Sequence, residues 1–189
     1  MEKIFFEKLS SEAKALWLNQ NIKFNLFSDG ETDLLAVCGL NKKDQDAVLP
    51  YLKEIKAALL AEKEWNAKRR EKRRESIPGV REYRAAIEAL REWQDQIEEE
   101  GFDIEADDFD PSDPALPAKP EVLPYMVLNL FPEAYALMTI EDVARESNQK
   151  IKEIGNRYLD AVLDDGMDPV EARKQMEKSL KENCPYYEI

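Results

Sequence analysis

Residues 101–124 read GFDIEADDFDPSDPALPAKPEVLP, and this stretch separates two regions that both carry helical periodicity. Its five prolines fix φ, remove backbone donors and push the residues before them toward extended conformations, so neither a long helix nor a central strand can cross it. One lysine, Lys119, stands against seven acids. A segment with that charge stays in solvent or meets a basic surface.

Toward the N-terminus, Val80, Tyr83, Ile87, Leu90 and Ile97, with Trp93, recur on one helical face that ends at Gly101. Ile77-Pro78-Gly79 precedes it as a break, and before the break residues 66–75, NAKRREKRRE, have no apolar face and read as a helix in solvent. Further back, Val48, Leu52, Ile55 and Leu59 form another stripe, with Asn41 as its N-cap and Pro50 marking a new first turn or a kink. The two long helices read as an antiparallel hairpin or a kinked rod. The period changes to two in residues 22–26, where Ile22, Phe24 and Leu26 alternate with polar residues, and the apolar run 32–38 follows a Ser-Asp-Gly turn. This predicts a β-hairpin, preceded by a short helix within 7–19 that Ser10 or Ser11 caps.

Beyond the acidic stretch, residues 122–138 are largely apolar and predict a buried helical segment broken near Pro132. Thr139 with Asp142 has the form of a capping box for a helix reaching Leu163, and Asp168-Pro169-Val170-Glu171 starts the last helix. The expected fold is mainly α: a helical bundle with one N-terminal β-hairpin and long amphipathic helices. Residues 1–100 form its first part, 101–124 an acidic loop, and 125–189 a helical region packed with the first as one unit.

Composition removes much chemistry. The chain has no histidine and two distant cysteines, Cys38 and Cys184, so a Cys/His zinc site, a Ser-His-Asp or Cys-His nucleophile and a histidine base are all excluded from this chain alone. Both cysteines read as buried free thiols, and no cofactor is expected. No apolar run is long enough to cross a bilayer, and MEKIFFEKLSSEAK has acids where a signal peptide needs bases, so a cytoplasmic protein is expected. A net charge of −13 opposes direct nucleic-acid binding.

Several motifs compete for attention. The basic run 68–74 offers Arg69, Arg70, Arg73 and Arg74 as contacts, against the plainer reading of a helix end paired with acids elsewhere in the chain. Asp103, Glu105, Asp107, Asp108, Asp110 and Asp113 are candidate partner-binding residues that imitate a phosphate backbone toward a basic groove. Their opening resembles a calcium loop, but Asp108 stands where that loop needs glycine and Pro114 where it needs glutamate. Glu54-Ile55-Lys56 has the spelling of a nuclease E-x-K motif, yet it falls inside a helical stripe and not on a strand. Residues 139–145, TIEDVAR, resemble the first helix of LacI-type repressors, and the sequence after them lacks the glycine turn of that motif.

Ile77-Pro78-Gly79, Glu82, Ala86, Trp93, residues 118–122, Phe131-Pro132 with Ala134, Asn148, Ile154-Gly155 and Met176-Glu177 together resemble, in order and spacing, small uncharacterised proteins of bacterial phages and prophages. The resemblance covers residues 77–180 and implies an accessory role in a mobile element, with no activity attached. It leads to the expectation of a non-enzymatic protein that binds, and blocks, a basic nucleic-acid-processing host protein, as anti-CRISPR inhibitors do. The alternatives are a virion assembly or scaffolding component that forms homo-oligomers and, third, an enzyme of unrecognised type.

Overall fold

The computed structural model describes residues 1–28, 33–40, 45–102, 113 and 116–187. Among these the chain is mainly helical, with one two-stranded antiparallel hairpin near the N-terminus. It divides into two compact units, residues 1–69 and 70–189, and the boundary falls inside a helix. The acidic stretch 101–124 therefore belongs wholly to the second unit's sequence.

In the first unit, α1 (Lys3–Phe6) and α2 (Ser11–Leu18) precede β1 (Lys23–Ser28) and β2 (Asp33–Cys38), and α3 (Gln45–Glu75) begins here. Ser10 is the cap of α2: its hydroxyl accepts from the Ala13 N–H at 3.2 Å. Its own N–H and Oγ–H donate to the two carboxylate oxygens of Glu54 at 2.5 and 2.6 Å, which fastens the start of α2 to α3. These bonds, with Lys14 nearby, hold the Glu54 carboxyl below its ordinary range. Glu54 thus has a structural role, and Ile55 between it and Lys56 is fully buried as the helical stripe requires.

Leu9, Ala13 and Ile55 form the centre of this unit's core, with Trp17, Phe24, Leu35, Tyr51 and Leu59 around them. Phe24 and Leu35 lie on one face of the hairpin, and Trp17 stacks on Phe24 with ring centroids 5.1 Å apart. The opposite face carries the cross-strand pairs Phe27–Leu34 and Lys23–Cys38. Cys38 is consequently exposed, against the expectation of a buried thiol, because the register points it away from the core; both cysteines are free. The hairpin turn 29–32 and the expected Asn41 cap lie outside the described residues. Pro50 lies within α3, which runs continuously through it.

The second unit holds the end of α3, α4 (Val80–Glu99), α5 (Pro124–Leu130), α6 (Pro132–Arg145), α7 (Gln149–Leu163) and α8 (Pro169–Asn183). Helices α6, α7 and α8 pack on one another around Leu137, Ile140, Ile154, Val162, Met176 and Leu180, joined by Ile77 and Val80 from the α3–α4 junction. Gly79 makes that junction: its φ is +80°, and a Cβ there would lie 2.3 Å from the Phe131 side chain. Trp93 on α4 donates from Nε1 to the Pro117 carbonyl at 2.8 Å, and the Lys119 ammonium sits 5.6 Å from its ring. The chain from 117 to 131 thus runs back along α4, from Trp93 toward Gly79, with α5 packed on α4.

One boundary departs from the sequence reading. Thr139 is inside α6 and caps nothing; its hydroxyl donates to the Tyr135 carbonyl one turn back at 2.9 Å, which satisfies it mid-helix. The helix break falls at residues 146–148, where Asn148 accepts from the N–H groups of Lys150 and Ile151 and starts α7. The continuous helical stripe through Ser147 and Asn148 is therefore not present. The last helix begins as expected, with Asp168 accepting from the Glu171 N–H at 3.0 Å and Pro169 in the first turn.

Candidate partner-binding surfaces

The four arginines of the basic run fall on both sides of the unit boundary. Arg69, in the first unit, lies over the Trp65 ring at 5.1 Å. The others are committed within the second unit. Arg70 pairs with Asp160 at 2.7 Å and Asp164 at 3.8 Å, and Arg73 donates to the Gly166 carbonyl at 3.1 Å. Arg74 donates from Nε and from a terminal nitrogen to Glu141 Oε1, at 2.8 and 2.7 Å, and also reaches Glu71 at 2.9 Å. The end of α3 is thus a docked element of the second unit through Arg70, Arg73 and Arg74, while the Lys72 and Arg73 side chains remain exposed.

Glu141 is the buried charged residue of the described core, and Arg74 and Arg145 both reach its carboxylate. A carboxylate withdrawn from water in this way persists only when paired and hydrogen-bonded. Glu71 extends the network by accepting from Arg84 of α4, and Arg84 and Arg81 also pair with Glu75, at 4.0 and 3.5 Å. The Arg84 hydrogen bond is the first cause of a Glu71 carboxyl held below its ordinary range, and Glu71 in return raises Arg84. Glu141 sits where the repressor-like reading of residues 139–145 would need a surface helix, so that stretch is core.

Of the acidic candidates, Asp103, Glu105, Asp107, Asp108 and Asp110 lie outside the described residues, and Asp113 is exposed. Partition by unit gives their charge a context. Residues 1–69 hold eleven bases and eleven acids, whereas 70–189 hold sixteen bases and twenty-nine acids, so the whole −13 belongs to the second unit. Between residues 92 and 144 a single base, Lys119, stands against fifteen acids.

Helix α5 was not expected as a surface. Residues 122–138 read as buried because they are apolar on every side, yet only Val127 of α5 is buried, while Leu128 and Phe131 pack partly on the core. Tyr125, Met126 and Leu130 of α5, with Val122 just before the helix, are 58%, 40%, 75% and 55% exposed. Helical spacing of Tyr125, Met126 and Leu130, against the stripe of Val127, Leu128 and Phe131, is the signal that would have separated the two faces.

An open groove of about 590 Å³ is lined by Tyr158 and by Glu171, Lys174, Lys178 and Glu182 of α8, two acids and two bases along the helix. Among the described residues no three acid or cysteine side chains gather to hold a metal ion, and no helix is long and apolar enough to cross a membrane. No protein-family model, curated protein or solved structure matches the chain.

Proposed function

We propose that the chain acts by binding a basic surface on another protein and not by catalysis. The charge arrangement carries this reading. Arg70, Arg73 and Arg74, three of the six cations in the basic run 68–74, are engaged by Asp160, Asp164, Glu141 and the Gly166 carbonyl, and the unit that contains them keeps a net −13. Such a unit repels phosphate backbones and attracts the surfaces that bind them. In the mobile-element setting that the sequence resemblance implies, the partner is a nucleic-acid-processing protein, and occupation of its phosphate-binding surface blocks it.

The test is capture from bacterial lysate followed by salt elution. A nucleic-acid-binding protein released as ionic strength rises, and displaced by added DNA, supports the reading; a partner indifferent to both sinks it. Changing Asp107, Asp108 and Asp110 to asparagine should weaken capture if the acidic stretch makes the contact, and unchanged capture transfers the contact to the other acids of the second unit.

A further inference from the structure

We propose that the exposed face of α5 is a docking site for a basic amphipathic helix of a partner protein. The proposal rests on the protein-binding reading above and adds an apolar anchor to it. Val122, Tyr125, Met126 and Leu130 present aromatic, thioether and aliphatic surface together, the residue types that supply adaptable contact area at interfaces. The helix is fixed beneath them: Val127 is buried, Phe131 closes on Gly79, and the preceding chain is pinned at Trp93. An apolar face on a rigid support loses little conformational freedom when covered.

Charge selects the occupant. The face lies in the middle of the 92–144 segment, and from residue 120 to 144 there is no base; Glu141 is buried against Arg74 and Arg145, and Asp142 pairs with Arg145, so Glu121 and Glu133, the acids nearest α5 in sequence, supply the local negative charge. A second copy would bring one −13 unit against another, and an anionic membrane would be repelled in the same way. A helix with leucine-type residues on one side and lysine or arginine on the other satisfies both the apolar face and its acidic surroundings.

The experiment is calorimetric titration of the full chain with a lysine/leucine peptide patterned as an amphipathic helix, and with a scrambled peptide of the same composition. The patterned peptide should bind more tightly, and Leu130→Ser with Tyr125→Ser should weaken it by roughly 10-fold or more without altering net charge. Leu34→Ser, at an exposed apolar position in the first unit, should leave binding unchanged. Equal binding of both peptides, or full binding by the doubly substituted protein, removes the α5 site while leaving the charge-based reading in place. Failure of both peptides at low salt overturns both. Sedimentation showing a dimer that Leu130→Ser dissolves would assign the face to a second copy and overturn the proposal.

Discussion

A Cβ at position 155 would lie 2.4 Å from the backbone nitrogen of Ala144, so α6 and α7 touch main chain to main chain at this point. Backbone cannot rotate aside as a side chain can. Gly155→Ala gains about 1 kcal/mol of helix propensity, but the two helices must separate, and overpacking a close contact costs about 1–3 kcal/mol. A net loss is expected, read as a lower denaturant midpoint at unchanged slope. A stabilised variant would mean that the helices slide apart without cost. Glycines 79 and 155, Trp93 and Asn148 each have their own place in the architecture, respectively as junction, helix contact, loop clip and cap. The sequence displays such residues but not what faces them, because the facing groups, Phe131, Ala144 and Pro117, are far away along the chain.

Helix elements were legible where a stripe and a cap agreed. Ser10 and Asp168 cap the helices they were expected to cap, and the alternation in 22–38 forms the hairpin. The boundary between α6 and α7 was missed because two cap-like signals competed, and the mid-helix hydroxyl of Thr139 has the same spelling as a true cap. The basic end of α3 shows the other limit: no apolar face predicts a solvated helix, whereas its arginine pairs, with Ile77 buried just beyond it, dock this one. Its dependence on acid follows from Glu71. The folded carboxyl lies below its ordinary range because Arg84 and Arg74 stabilise the charged form, so the unfolded chain binds the proton more readily. Glu71 therefore contributes stability above the unfolded carboxylate pKa, and that contribution disappears as pH falls through the lower folded value. With a side chain 42% exposed, solvent screening keeps the contribution below about 1 kcal/mol. Glu71→Gln should flatten the acid limb of stability against pH and change little at neutrality beyond that amount; a limb as steep as the unsubstituted protein's would place the acid sensitivity in other carboxylates.

At the scale of the whole chain, balance in one unit and −13 in the other imply different responses to salt. Self-repulsion in the second unit weakens as the Debye length shrinks from about 30 Å at 10 mM to about 8 Å at 150 mM salt. Screening also weakens its ion pairs, but exposed pairs such as Arg70–Asp160 contribute little each, up to about 1 kcal/mol. The net repulsion from twenty-nine acids against only sixteen bases is the larger effect, so salt should stabilise this unit. The tryptophans allow the units to be followed separately, since Trp17 and Trp65 lie in the first and Trp93 in the second. In a Trp17→Phe, Trp65→Phe protein, the Trp93 emission transition should rise by roughly 3–6 °C over that salt range. A Trp93→Phe protein, reporting on the balanced unit, should show a much smaller rise. Coincident shifts in the two proteins would mean that the units unfold as one cooperative block, and a Trp93 transition that falls with salt would mean that the arginine pairs outweigh the repulsion. The sequence alone could not make this forecast, because it reads both sides of the proline-rich stretch as one unit; the division inside α3 is what assigns the entire charge to one side.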